Sequence, residues 1–109
     1  MSVIKYNKLV RDRIPEIIEA SGKTCKMVIL DDAEYLRMLD SKLDEELAEY
    51  HKDQNIEELA DLLEVIRTVA IARGYTVEEL EHIRKQKAEK RGAFQNKVFL
   101  LEVEDSTCN

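Results

Sequence analysis

The sequence predicts a mostly α-helical chain, a bundle of four helices with a small two-stranded β element, and three observations carry that expectation. Only three Gly and one Pro occur among 109 residues, 37% of which are charged, a composition rich in helix formers and poor in breakers. Apolar residues recur at spacings of three and four through two long segments on either side of one polar turn, Lys52-Asp53-Gln54-Asn55. Good capping residues bracket each helical segment. A chain of this length fills one core, so residues 1–109 are expected to form a single domain.

Residues 2–15 read as an extended or irregular arm leading into a short helix. Pro15 suits the first turn of that helix, where its missing N–H costs nothing, and Gly22 suits the left-handed cap that ends it. Lys8, Arg11 and Arg13 give the arm a local positive character. Taken alone this is a solvated basic edge. Cys25 to Leu30 is apolar and β-branched and reads as a strand, as does Lys97 to Val103; neither is long enough to stand alone, so the two are paired as a small sheet packed on helices.

The second helix begins with Asp31 or Asp32 as its N-cap and runs to about His51. Leu36, Leu39, Leu43, Leu47 and Tyr50 form one apolar stripe along it. At about 100° per residue, Glu46 falls on the border of that stripe, Glu49 about 60° further round, and Glu45 on the opposite side. The third helix starts after Asn55 and continues to Arg73, before Gly74. Apolar residues cover more than half its circumference, so it is the centre of the bundle or of an interface between copies. The fourth opens at Thr76 in a capping-box pattern with Glu79 and stops at Gly92. Arg84, Lys87 and Arg91 share one of its faces; they serve either the helix dipole or phosphates near the acidic hairpin.

Two acidic elements flank the polar turn, Glu45-Glu46-x-x-Glu49 and Glu58-x-x-Asp61. Glu49 and Glu58 are equally far from its centre, and so are Glu46 and Asp61. In an antiparallel helical hairpin such pairs lie at similar heights, so four carboxylates form two tiers between the helices. Carboxylates this close repel one another unless a divalent cation joins them, and hard oxygen ligands favour Mg²⁺ or Mn²⁺ over zinc. Asp61 lies among Val65 and Ala72 on an otherwise apolar surface, where a carboxylate needs a partner. Glu58 has two readings, because with Asn55 as N-cap it also stands where a capping-box Glu belongs.

Composition excludes several function classes. With 17 Lys plus Arg against 23 Asp plus Glu, a formal net charge of −6, no overall positive field draws in nucleic acid or an anionic membrane. No apolar run approaches the roughly 20 residues that span a bilayer, and the start lacks a signal-peptide core, so the cytoplasm is the expected location. Cys25 and Cys108 fit no metal spacing and read as free thiols. His51 and His82 are isolated and receive no role.

Taken together, Asn7-Lys-Leu-Val-Arg-Asp-Arg-Ile-Pro15, the Glu45 to Glu49 element, Glu58-Leu-Ala-Asp-Leu-Leu-Glu-Val-Ile66 and Arg91-Gly-Ala-Phe94 resemble the all-α nucleoside triphosphate pyrophosphohydrolases. This is the MazG-like and phosphoribosyl-ATP pyrophosphohydrolase superfamily, and the likeness is to its small single-domain house-cleaning branch over about residues 5 to 101. The resemblance implies a MazG-like four-helix bundle that hydrolyses a nucleotide between its α and β phosphates, giving a monophosphate and pyrophosphate. It implies that Glu46, Glu49, Glu58 and Asp61 bind Mg²⁺, with Mn²⁺ as a substitute, and that Glu45 stands behind them or orients a water. Arg84, Lys87 and Arg91, with Lys8, Arg11 and Arg13 from the arm, become candidates for holding pyrophosphate. Tyr35, Tyr50 and Phe94 are candidates for the base or for the core. The family's dimers and larger assemblies match a third helix that is apolar nearly all round. Only eight residues, 50–57, separate the two acidic elements, shorter than in many members, which leaves the substrate open. Two rivals stand beside this reading: a phosphoribosyl-ATP pyrophosphohydrolase of histidine biosynthesis, and a non-enzymatic helical module that oligomerises.

Overall fold

The computed structural model describes residues 2–105 and contains four helices: α1 (Ile14–Ala20), α2 (Asp32–Asp53), α3 (Ile56–Ala72) and α4 (Val77–Arg91). Each boundary has a local cause. Pro15 lies in the first turn of α1. The side chain of Asp31 accepts from the Glu34 N–H at 2.9 Å to open α2, and Asn55 does the same for Glu58 at 2.9 Å to open α3. At the end of α3, Tyr75 N–H bonds to the Ala70 carbonyl and Gly74 N–H to that of Ile71. This paired closure needs a residue at positive φ, and Gly74 supplies it at 94°. Gly22 closes α1 in the same way.

The chain falls into two compact units, a first ending at Val77 and a second beginning at Glu78. In the first, α2 and α3 are the one pair of helices packed on each other among the described residues. The fully buried residue of their interface is Leu39, 2% exposed, the second residue of the predicted stripe. Leu36, Leu43 and Tyr50 are half-buried along the same line. On α3, Glu58, Asp61, Leu62, Val65, Val69 and Ala72 are half-buried at helical spacing, so the two acidic residues share their face with the packing residues. Arg73 adds an ion pair to Asp40 of α2 at 3.2 Å. Both side chains are about half exposed, so this contributes under about 1 kcal/mol.

Two expectations change. The connection between α2 and α3 is shorter than the four-residue turn, because α2 continues through Lys52 and Asp53. Gln54 takes the left-handed conformation at φ 51°, donates to the Tyr50 carbonyl, and Asn55 at once caps α3. The β element is absent: among the described residues there is no strand, and both 25–30 and 97–103 are chain without a ladder partner. The two segments belong to different units. Val28, Ile29, Val98, Phe99 and Leu101 are each at least 80% exposed, so neither segment has the buried face that a short two-stranded sheet needs.

The second unit contains α4, which ends as Gly92 donates to the Ala88 carbonyl. No helix among the described residues is long and apolar enough to cross a membrane. Cys25 is a half-buried free thiol with its sulfur 3.9 Å from Glu19 Oε1; Cys108 lies outside the described residues.

Candidate metal centre

The two-residue turn sets the height of every carboxylate on the hairpin. Oxygens of Glu46, Glu58 and Asp61 lie within 4.8 Å of one another, and so do oxygens of Glu49, Asp53 and Glu58. Glu58 therefore belongs to two trios, and all four predicted carboxylates fall into one continuous cluster. Asp53 is the addition. Assigning it to the turn hides it, although its place four residues after Glu49 is the spacing that puts two side chains on one helical face.

The double reading of Glu58 resolves in this geometry. The Asn55 side chain accepts from the Glu58 backbone N–H, but among the described residues the Glu58 carboxylate accepts no hydrogen bond from the Asn55 N–H, so the capping box is half made. The carboxylate lies in the acidic cluster instead. Burial and the negative charges of Asp61, Asp53, Glu49 and Glu46 hold its pKa above the ordinary 4.5. A carboxyl pushed upward by burial and by four like charges gains from a cation beside it, and the all-oxygen donor set fits a hard divalent ion of the Mg²⁺ type.

Glu45 has the opposite environment. Burial alone raises its pKa, but Lys42 and Lys8 outweigh that and bring it below 4.5. Lys42 Nζ lies 3.2 Å from Glu45 Oε1 and 3.4 Å from Glu46 Oε1, joining the residue behind the cluster to one inside it. Lys42 was missed in the sequence, although its positions three and four residues before those glutamates are the signal. From the arm, Lys8 reaches Glu45 at 3.3 Å and Arg11 reaches Asp61 at 2.7 Å. Arg13 turns to Glu16 of its own helix at 3.4 Å.

The remaining predicted cations belong to the second unit. Arg84 Nε donates to Glu81 at 2.9 Å, a pairing that raises the already high pKa of its guanidinium. Lys87 and Arg91 line an open cavity of about 550 Å³ with Ile83, Gln86, Glu89 and Lys90. Of the aromatic candidates, Tyr35 and Tyr50 are half-buried on α2, Tyr50 with its ring centroid 5.9 Å from that of His51. Phe94 is 97% exposed.

The shifted glutamates give a pH prediction of defined sign. A raised folded-state pKa at Glu58 means that the metal-free fold holds its proton more tightly than the unfolded chain does. Its contribution is present below pH 4.5 and lost as pH rises through the raised value. Glu45 contributes above 4.5 and loses that contribution as pH falls through its lowered value. In thermal melts of metal-free protein, Glu58→Gln is expected to remove the loss of stability just above pH 4.5, raising Tm there and at neutral pH. An unchanged profile contradicts the raised pKa of Glu58.

No family model matches the chain, and no solved structure matches it. Over 42 residues the chain is 62% identical to an uncharacterized protein of Mycolicibacterium smegmatis, a match covering 38% of this chain and 43% of that protein. The match spans less than half of the relative's length.

Proposed function

We propose that the chain is a cytoplasmic, Mg²⁺-dependent nucleotide pyrophosphohydrolase that cleaves a nucleoside triphosphate between its α and β phosphates. The observation that carries the reading is the sharing of Glu58 between two carboxylate trios on adjacent helices. Glu46, Glu58 and Asp61 would hold one divalent ion and Glu49, Asp53 and Glu58 a second. A bound Mg²⁺ supplies neutralisation of phosphate oxygens and a water of lowered pKa aligned for in-line attack. The protein's own groups do the rest. Lys42 and Lys8 keep Glu45 ionised and fixed behind the cluster, and Arg11 places a guanidinium against Asp61 of the cluster at 2.7 Å.

The resemblance of the Asn7 to Pro15 arm and of Arg91-Gly-Ala-Phe94 to the house-cleaning branch favours a triphosphate over phosphoribosyl-ATP. The test is product analysis. A panel of standard and modified nucleoside triphosphates, incubated with Mg²⁺ or with chelator, is expected to give monophosphate and pyrophosphate in equal amounts with Mg²⁺ only. Orthophosphate as the product contradicts α–β cleavage.

We also propose a second copy of the chain as the partner of α3. Leu59, Leu63 and Ile66, at helical spacing, are 42%, 52% and 38% exposed, and Ile56 is 76% exposed. A row of large apolar side chains on a helix already packed along its other side supports self-association. Sedimentation is expected to give at least twice the 12.7 kDa chain mass, and Leu63→Glu to shift it towards the single chain.

A further inference from the structure

Two ion pairs tie the N-terminal arm to the acidic hairpin, and they land on different helices. Lys8 reaches Glu45 of α2 at 3.3 Å, and Arg11, three residues on, reaches Asp61 of α3 at 2.7 Å. No backbone hydrogen bond joins residues 2–10 to the hairpin among the described residues, so these side chains supply the arm's polar attachment. The Arg11 bond is a charge-assisted one to a carboxylate that also belongs to the Glu46, Glu58 and Asp61 trio.

We propose that the arm is a self-supplied cationic strap: Arg11 and a divalent cation compete for Asp61, so that metal binding releases Arg11 to take up substrate phosphate. The proposal rests on the metal-centre reading and adds the order of events to it. A cation among Glu46, Glu58 and Asp61 draws on the charge that the guanidinium now neutralises, and the two positive groups repel each other. Once released, the guanidinium offers a planar fork of donors that matches phosphate. Arg11 thus lowers the fraction of chains ready to take metal, and with it the apparent affinity. The pair is open to solvent, with 60% of the Arg11 and 41% of the Asp61 side chain exposed, so the competition is modest. Its removal is expected to tighten Mg²⁺ binding roughly two- to fivefold.

The test is a calorimetric Mg²⁺ titration of wild type, Arg11→Ala and Asp61→Asn. In parallel, the Arg11 side-chain Nε–H signal of the wild type is followed by NMR. The strap predicts tighter binding by Arg11→Ala. It also predicts an Arg11 signal that moves, as Mg²⁺ saturates the protein, to the position it holds in metal-free Asp61→Asn. Wild type and Arg11→Ala binding Mg²⁺ equally, or the variant binding more weakly, overturns the strap and leaves the metal centre standing. An Arg11 signal that stays in place through saturation overturns it as well. If neither protein takes up Mg²⁺, both the strap and the metal centre fail. Arg11 lies outside every helix, so its replacement spares the Leu39 interface, and movement of the wild-type signal can be read whether or not a variant folds.

Discussion

Asp61→Asn is expected to lower kcat/KM for triphosphate hydrolysis by about 10²- to 10³-fold, the scale seen when one preorganised charge-stabilising group is removed from a reaction centre. The substitution keeps the shape of the side chain and one carbonyl oxygen while removing the charge. Asp61 sits a full turn inside α3 and 41% of its side chain is exposed, so the helix loses neither its cap nor its packing. Glu58→Gln is expected to act as strongly, because its carboxylate serves both trios. It carries a second signature: the variant that loses activity gains metal-free stability, since burial and four like charges no longer penalise an ionised side chain there. Glu45→Gln belongs to a lower range, about 10- to 100-fold, as expected of a residue that acts through its neighbours. Initial rates at saturating Mg²⁺, together with circular dichroism to confirm helix content, check all three. Activity retained within a few-fold in Asp61→Asn contradicts the role given to the cluster.

The second large effect concerns the fold. Leu39→Ala is expected to cost about 2–5 kcal/mol, the range for truncating a fully buried leucine. Leu39 is 2% exposed and is the one fully buried side chain among the described residues, while the other residues between α2 and α3 are half-buried, so it contributes the largest single share to their packing. A loss of that size is a large share of the total stability of a small domain. The carboxylate heights depend on the same packing, so metal affinity is expected to fall with stability. Urea unfolding checks the first effect and Mg²⁺ titration the second. A shift below about 0.5 kcal/mol, the usual size for a surface substitution, contradicts Leu39 as the keystone of the hairpin.

The helices were legible in the sequence because their ends are set by local chemistry. Asp31 and Asn55 cap through their own side chains, and Gly22 and Gly74 take a conformation that other residues adopt at a cost. The acidic cluster was legible for a related reason: two helices joined by a tight turn fix which residues stand at the same height. What failed needed information that is not local. Residues 25–30 and 97–103 have the composition of strands, but a strand exists only with a partner, and composition does not supply one. Asp53 was lost because a single left-handed Gln54 shortened the turn and kept Asp53 in the helix. The basic arm looked like a solvated edge, and only the fold brings Arg11 to Asp61, fifty residues away in sequence. The Arg84 to Glu81 pair, by contrast, stood in plain view at a spacing of three.

The central claim is that a divalent cation sits at Glu58, and paramagnetic broadening tests it most directly. Mn²⁺ would be added in small steps to isotopically labelled, metal-free protein, and the backbone signals followed residue by residue in wild type and in Asp61→Asn. The expected result is early broadening confined to the hairpin around Glu46, Glu49, Asp53, Glu58 and Asp61, weakened sharply in the variant. Broadening spread evenly over the acidic surface, or centred on the Glu78 and Glu79 turn of α4 and unchanged by Asp61→Asn, would contradict it.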